Sequence, residues 1–545
     1  RSAGSFRVHS GARFDFKGGT ILEDGHGVIV DNGLVKVWPQ ATAPAKFTLR
    51  HGSVEFEGNV AVGQTLVVQG VGGFGGGGAY AEVNLDPGVI FTNNGTIILD
   101  SILGPFEAEL IVGDFGLDGM MVNNGTLFSV PGTGGSRALR TELLDNFGSI
   151  VVDAAMNLAS SNGLVRNHGL IVVNPGGDLS VVGDSQAFDQ VAGAIQAQPD
   201  ATFVLSGVGF GDLPQFIFSG GAIEQGTVAI RNGTLTLEPS AVGRGHFTLW
   251  RGCELDGEIG PSHTVIVEGS NRGGADAYLT TPTGGNLTNR GTLIVATPDA
   301  LFGASIQLNQ GWSLVNEVGA AFEVNAGAGT NPFIGAALRN KGVTNVRRSL
   351  TLGNNNDTHQ NQTTGEFNLS NNAVVTFQGN AATPFTNAAD AQSKGVVGGI
   401  GQLNVGAGRI FQNAGRVEPG GDAAAGTLSV TGNYTQTSGG ILNIELGGTG
   451  QGQFDTLSVS QQVTLSGTLN VTLLPGYTPQ AGNSFTGVTF AGRTGDFATV
   501  NLPTLTGGLV LQRSYTPTAM VLTVATTLPD QALPPHKPNR RPIRR

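Results

Sequence analysis

The chain of 545 residues is poor in cysteine and in charge. Its single cysteine, Cys253, excludes a disulfide framework and is expected to be a buried apolar filler. Charged residues make up 13% of the sequence, about half the usual globular share, so the polar surface must consist mainly of Asn, Gln, Ser and Thr. The net charge of −11 argues against a nucleic-acid partner.

Long apolar runs and the common chemical motifs are also missing. No apolar run reaches the length of a transmembrane helix, so we expect no transmembrane segment. There is no His-x-x-x-His, no cysteine pair and no Gly-Gly-x-Gly-x-Asp calcium repeat. No Gly-x-Ser-x-Gly lies on a strand-to-helix turn. We therefore expect no metal, no cofactor and no catalytic residue that a sequence motif would identify.

What the sequence does contain is a recurring phrase, in which a polar residue, Asn and Gly precede an alternating apolar strand. Asn and Gly enter left-handed backbone conformations at low cost. The Thr-Leu-x-Val runs that follow have high strand propensity and a period of two. The phrase therefore predicts a turn followed by a strand. Copies are centred on Asn32, Asn94, Asn124, Asn146, Asn167, Asn232, Asn289 and Asn340.

The spacing of the copies indicates a solenoid. Asn94, Asn124, Asn146 and Asn167 follow one another at steps of 30, 22 and 21 residues, and the later gaps fit two or three such steps. The 87 glycines and the lack of a long 3.6-residue periodicity exclude helical repeats. We predict an all-β fold, a parallel β-helix with a right-handed coil, in which Asn at equivalent turns forms a hydrogen-bonded ladder.

Composition divides the chain into four segments. We expect N-terminal strands and a cap in residues 1–60, and the β-helix rod in residues 61–420. Terminal rungs with a β-rich module are expected in residues 421–525, and a basic, proline-rich tail in residues 526–545. The cap is expected because an open strand edge recruits other chains.

Residues 415–525 differ in character from the rod before them. A Pro-Gly turn precedes a Gly-Thr-Leu strand and a Gly-Asn-Tyr-x-Gln strand, at 419–420, 426–428 and 432–436. This pattern resembles the autotransporter-type β-strand repeat region of large bacterial surface proteins. The runs at 454–459, 467–471, 479–485 and 495–500 fit the last rungs and terminal module of that family.

The resemblance implies an exported bacterial protein with a β-solenoid, located outside the cell or on its surface. A chain that begins at Arg1 rather than Met agrees with a mature form from which a leader has been removed. Autotransporters end in a membrane β-barrel, which we do not find up to Arg545, so we do not expect self-export. A shared fold does not fix an activity.

The tail contrasts in charge with the rod. Residues 531–545 carry five Lys or Arg and no acidic residue, so the rest of the chain holds −16 (−11 minus +5). Such a segment can lie against a neighbouring copy or an anionic envelope. We therefore expect a homo-oligomer or polymer, with the cell envelope or an extracellular polysaccharide as a further partner. The candidate assembly residues are His536, Lys537, Arg540, Arg541, Arg544 and Arg545.

A carbohydrate-active β-helix, either a polysaccharide lyase or hydrolase or a phage tail spike, is the alternative function. It needs carboxylates, alone or with Arg or Lys, on one outer sheet. In the best candidate Glu254, Asp256 and Glu258 alternate along one strand and share a face, with Arg251 nearby. A solvated strand face explains this pattern equally well. Weaker candidates are Glu23, Asp24 and His26 in one run, and Asp153.

The composition favours a non-enzymatic structural or adhesive protein over the enzyme. In a structural or adhesive protein the rod itself carries the function, and its ends and tail join copies into a filament or layer. The charge density is low, and the chain has only five tyrosines and three tryptophans to serve as sugar platforms. Trp250 and Trp312 are expected to pack in the core or between rungs.

Overall fold

The fold consists of two compact units, residues 1–359 and residues 360–545. The computed structural model describes residues 6–21, 27–71, 79–83, 89–104, 106–113, 119–159, 163–183, 185–207, 213–282, 284–353 and 358–526. Every regular element in these residues is a β-strand. Within them, no helix is long and apolar enough to cross a membrane.

The strands of the first unit are short and are separated by turns. In chain order they are β1 (Phe6–Val8), β2 (Arg13–Phe16), β3 (Val28–Asp31), β4 (Leu34–Val37), β5 (Ala45–Arg50), β6 (Gly52–Glu57), β7 (Gln64–Gly70), β8 (Ala79–Val83), β9 (Ile90–Asn93), β10 (Thr96–Ser101), β11 (Ala108–Val112), β12 (Met120–Asn123), β13 (Thr126–Ser129), β14 (Arg137–Arg140), β15 (Leu143–Asn146), β16 (Ser149–Val152), β17 (Met156–Ala159), β18 (Leu164–Asn167), β19 (Leu170–Val173), β20 (Asp178–Val182), β21 (Ala187–Gln190), β22 (Ala194–Ala197), β23 (Thr202–Ser206), β24 (Gln215–Phe218), β25 (Ala222–Glu224), β26 (Val228–Arg231), β27 (Thr234–Leu237), β28 (Gly245–Trp250), β29 (Gly252–Gly257), β30 (His263–Glu268), β31 (Ala277–Thr280), β32 (Leu287–Asn289), β33 (Thr292–Ala296), β34 (Ala304–Gln307), β35 (Ser313–Asn316), β36 (Ala321–Val324), β37 (Phe333–Gly335), β38 (Ala337–Asn340), β39 (Val343–Val346) and β40 (Leu350–Leu352).

The strands of the second unit include two longer ones, β42 and β44. The remaining strands in chain order are β41 (His359–Asn361), which contains the division between the units, and β42 (Glu366–Phe377), β43 (Phe385–Asn387), β44 (Val396–Asn404), β45 (Ile410–Asn413), β46 (Arg416–Pro419), β47 (Thr427–Thr431), β48 (Asn433–Gln436), β49 (Ile441–Leu446), β50 (Thr456–Val459), β51 (Gln462–Leu465), β52 (Thr468–Leu473), β53 (Ser484–Thr489), β54 (Gly492–Gly495), β55 (Thr499–Asn501), β56 (Leu509–Tyr515) and β57 (Ala519–Thr526).

Strands pair in parallel with the equivalent strand of the next rung, which confirms the predicted parallel β-helix. One ladder of the first unit runs β9–β12–β15–β18–β21 and another runs β10–β13–β16–β19–β22, in register. Pairing crosses residue 60, since β6 pairs with β8, and it crosses residue 420, since β46 pairs with β49. The domain boundaries at 60 and 420 stay predictions.

Side chains alternate between the inside of the coil and solvent, as the period of two predicts. In β16 and β19, for example, Ile150, Val152, Ile171 and Val173 are fully buried, and the residues between them are half-buried on the outer face. Because the pairing keeps register, each buried residue lies on an apolar residue of the next rung. The hydrophobic core is therefore a continuous column inside each unit.

A ladder of side-chain amides runs along one corner of the first unit, as predicted. The Nδ2 groups of Asn93, Asn123 and Asn146 each donate to the Oδ1 of the next asparagine at 2.7 Å, and Asn167 donates to the Oε1 of Gln190 at 2.9 Å. All five side chains are fully buried. Each amide thus satisfies its neighbour inside a corner that excludes water.

Two details of the turn phrase were predicted wrongly. In the pairs Asn93-Asn94 and Asn123-Asn124 the first asparagine enters the buried ladder, and the second makes an exposed hydrogen bond of 2.9 Å to its copy. Neither Asn123 nor the following Gly125 has a positive φ. Glycine is needed for another reason, because a Cβ on Gly125 would lie 2.1 Å from the carbonyl oxygen of Gly95.

Left-handed asparagines do occur, but at a different corner. Asn32 and Asn232 have φ values of 52° and 50° and connect β3 to β4 and β26 to β27. Asn32 is exposed and Asn232 is partly buried, and neither belongs to the amide ladder. Two turns with the same Asn-Gly sequence therefore have different backbone conformations. In one turn the amide ladder fixes the conformation, and in the other the local geometry of the turn fixes it.

The first unit contains the same arrangement twice. The pairings β3–β5–β7–β10 recur as β26–β28–β30–β33. Asn32-Gly33, Pro39, Phe47-Thr48-Leu49 and Gly52 have identical counterparts 200 residues later. In each copy a single parallel bridge, Val60 to Asn93 or Ile259 to Asn289, precedes an amide ladder. The second ladder joins Asn289, Asn316 and Asn340 at 2.8 Å.

The second unit stacks its own ladder and ends in an antiparallel hairpin. Asn361 donates to Asn387 at 2.8 Å and Asn387 donates to Asn413 at 2.9 Å. Aromatic rings of successive rungs stack beside this ladder, with Phe385 and Phe411 5.3 Å apart. The hairpin β56–β57 pairs antiparallel with β53. Because β57 runs antiparallel to β53, it ends the parallel stacking on that strand.

We predict that neighbouring asparagines differ sharply in their effect on stability. Asn123→Ala removes a buried amide and leaves the Oδ1 of Asn146 without its donor, which costs about 1–3 kcal/mol of the free energy of unfolding. Asn124→Ala changes only an exposed pair, and we expect about 0.5 kcal/mol or less. Denaturant unfolding of both variants measures the difference. Equal losses would contradict the buried ladder.

Candidate functional site

A groove of about 400 Å³ lies on the outer face of the second unit. Its floor consists of outward side chains of β46, β49, β52 and β55, which pair in parallel in that order. We call it the acidic groove. It is lined by Arg416, Glu418, Gly421, Asp422, Asn443, Glu445, Asp455, Asn470, Val471, Thr472, Asn501 and Leu502.

An outward row of amides crosses the floor of the groove and ends on a carboxylate. Asn501 donates to Asn470 at 2.8 Å, Asn470 to Asn443 at 3.0 Å, and Asn443 to the Oε1 of Glu418 at 2.8 Å. Arg416 donates to the same Glu418 oxygen at 2.8 Å. The three amides point the same way along the row, so they present a polar floor with fixed donor and acceptor positions.

Asp455 is the buried acid of the groove, with 1% of its surface exposed. Its Oδ1 accepts from the backbone N–H of Gly426 and its Oδ2 from that of Glu445, both at 2.9 Å. Burial raises the pKa of Asp455 to about 8, although these two N–H groups act in the opposite direction. Asp455 therefore carries a proton around neutral pH while it joins the 420–426 loop to β49.

Glu445 faces the groove beside Asp455. Burial raises the pKa of its carboxyl group, and the backbone N–H groups of Ala424 and Ala423 partly offset the rise. Its Oε2 is buried and has no hydrogen-bond partner among the residues that the structure describes. The groove thus contains four carboxyl groups and one guanidinium, with one carboxylate oxygen still available to a donor.

This arrangement can bind a cationic or hydroxyl-rich ligand, and it places two acids of raised pKa side by side. Arg416 neutralises Glu418, while no Lys or Arg lies against Glu445 or Asp422 in the lining of the groove. A protonated acid beside a carboxylate is also the pair that glycosidic bond cleavage uses. Among the described residues, no group of three or more His, Cys, Asp or Glu is arranged to hold a metal ion.

The acidic cluster singled out from the sequence lies elsewhere, on β29 in the first unit. Glu254 and Asp256 do face outward on the same side, next to Thr234 and Thr236 of β27. Glu258 lies beyond the strand end and forms an ion pair of 2.7 Å with Arg290. Arg251 is turned away, donating to the carbonyl oxygen of Gly273 at 3.0 Å. The four residues do not form one constellation.

The other residues singled out from the sequence lie in different environments. Cys253 is buried as predicted, and burial raises the pKa of its thiol to about 11. Trp250 is buried as predicted, whereas Trp312 is 39% exposed. Asp153 accepts from Asn174 at 2.6 Å in the next rung. Glu23, Asp24 and His26, and the tail residues His536, Lys537, Arg540, Arg541, Arg544 and Arg545, lie outside the described residues.

The comparison with known proteins identifies no relative. No protein-family model matches the chain, and no curated protein sequence matches it. The fold is a long parallel β-solenoid with asparagine ladders.

The acidic groove was missed because its carboxylates are far apart in sequence. Glu418 and Glu445 come from two strands, and Asp455 follows the next loop. A detectable signal was present, since Glu418 and Glu445 each stand between two apolar residues that face inward. Outward acids on consecutive strands of a solenoid must lie near one another.

We predict that Asp455 makes the protein less stable as pH rises. The folded state holds this proton more tightly than the unfolded state, so the stabilisation is complete below about pH 4 and is lost as pH rises through about 8. Asp455→Asn should reduce the drop in melting temperature between about pH 5 and about pH 8.5. Asp178→Asn, an exposed aspartate, is the control. An unchanged drop in Asp455→Asn would contradict the assignment.

Proposed function

We propose that the protein is a non-enzymatic, exported bacterial surface protein whose rod is structural or adhesive and which assembles with copies of itself. The observation that carries this proposal is how the chain uses its polar residues. Asparagines are buried to hold successive rungs together rather than gathered around a reaction centre. A coil built in this way supplies length, stiffness and outer faces that repeat from rung to rung.

The resemblance to the autotransporter-type repeat region supports the exported, bacterial part of the proposal. It covers residues 415–525, which fold as β46–β55 and the β56–β57 hairpin. Exported solenoids of this kind act outside the cell or on its surface. The basic part of the tail, residues 531–545, supplies the charge opposite to that of the rod, and electrostatic attraction of this kind favours contact between copies.

We predict that the purified protein forms filaments or layers and that the tail is required for them. Electron microscopy of the full chain should show fibres or sheets at low salt. Removing residues 529–545 should leave dispersed particles, because the basic charge is lost. Dispersed single particles for the full chain, or unchanged assembly without the tail, would overturn this part of the proposal.

A carbohydrate-active enzyme is the second candidate function, and the acidic groove is the observation that favours it. The neighbouring acids Glu445 and Asp455 both have a raised pKa, as a general acid requires. If the protein cleaves polysaccharides, Glu445→Gln should reduce the rate at least about a hundredfold, while Glu254→Gln should not. Reducing-end release from a polysaccharide panel measures this. Failure of the wild-type chain to cleave any member would exclude the enzyme for that panel.

A further inference from the structure

We propose that the acidic groove is the receptor for the basic segment 531–545 of a neighbouring copy of this chain. The inference rests on the proposed self-assembly and adds the contact that would produce it. The groove lies on the outer face of β46, β49, β52 and β55, and no other strand covers that face among the described residues. An outer sheet face of this kind can receive an extended peptide.

Charge complementarity identifies the occupant. Glu418, Asp422 and Glu445 face only Arg416 within the groove, whereas segment 531–545 has five Lys or Arg and no acid. The rest of the chain is acidic, at −16 (−11 minus +5), and no other stretch of 15 residues in it carries five Lys or Arg. Guanidinium groups form bidentate, charge-assisted hydrogen bonds with carboxylates, and four of the five cations are arginines.

The geometry of Glu445 provides an independent reason. Its Oε2 is buried at the groove and has no hydrogen-bond partner among the described residues. A buried carboxylate oxygen without a donor is costly. Because Glu445 as a whole is only partly buried, its carboxylate can turn this oxygen towards an incoming guanidinium N–H, which would satisfy it. Glu418 differs, since Arg416 and Asn443 already donate to its Oε1 at 2.8 Å. We therefore assign Glu445 as the main contact and Asp422, which is exposed, as the second.

The remaining floor of the groove suits the rest of the segment. The row Asn501, Asn470 and Asn443 presents amides in one direction, and side-chain amides accept from and donate to the carbonyl and N–H groups of an extended backbone. The segment 531–545 contains four prolines, which lack an N–H and keep a peptide extended. It is therefore suited to lie across the amide row rather than to add a strand to a ladder.

The test measures binding of a labelled synthetic peptide, residues 529–545, to the full-length chain. In the receptor the five Lys and Arg of the tail are changed to Gln, so the groove is free of its own tail charge. Fluorescence anisotropy at low and at high salt should show binding that weakens with salt. Asp422→Asn with Glu445→Gln should weaken it about tenfold or more, since charge-assisted pairs are lost.

A matched control removes the same charge elsewhere. Glu254→Gln with Asp256→Asn also deletes two carboxylates from an outer face, but in the first unit, and should leave the affinity unchanged. Asp422→Asn alone, at an exposed position, keeps the test informative if the double variant fails to fold. Equal weakening by the groove and control variants, or no weakening by either groove variant, would overturn the proposal.

Mixing two variants shows whether the contact joins different copies. A chain with the groove neutralised keeps its tail, and a chain with the tail neutralised keeps its groove, so one contact remains between them. Light scattering should show a dimer in the mixture and monomers in each solution alone. Monomers in the mixture would overturn the assignment to a neighbouring copy.

The same variants separate this inference from the proposed function. Filaments that persist when the groove is neutralised would overturn the groove contact and leave self-assembly intact. A wild-type chain that never assembles, although the peptide binds the groove specifically, would overturn self-assembly and support the groove as the receptor of the segment.

Discussion

The structure depends on one interaction, a buried side-chain amide that lies directly on its copy one rung away. Asn123 accepts from Asn93 and donates to Asn146, so a shift of one residue in any rung would leave buried amides unsatisfied on both sides. The same contact brings backbones so close at the turn that Gly125 and Gly148 have no room for a Cβ. Register, turn composition and core alignment all follow from this corner.

The same register also organises the outer surface. Once strands β46, β49, β52 and β55 are aligned, their outward residues form rows, and Asn443, Asn470 and Asn501 repeat on the outside the pattern of the buried ladder. The outer row ends on Glu418, and the loops beside it bring in Asp422 and Asp455. A solenoid thus turns a structural repeat into a groove without any dedicated domain.

The fold could be predicted from the sequence because the turn phrase and the strand period repeat many times. The errors in the prediction concerned individual turns. Asn32 and Asn232 look like ladder residues but occupy left-handed turns at another corner, which only the pairing of whole rungs can reveal. The prediction of the site failed for a similar reason. Glu254 and Asp256 are neighbours in sequence and were easy to notice, whereas Glu445 and Asp455 come together only when the chain folds.

Hydrogen exchange across the first amide ladder tests this account most directly. Asn146→Ala interrupts the ladder at one rung, and the account predicts faster backbone exchange in β12, β15 and β18 together, with β36 unchanged. Mass spectrometry of peptides from the wild type and the variant measures this. Faster exchange confined to β15, or no change in any rung, would contradict the claim that the ladder holds the rungs in register.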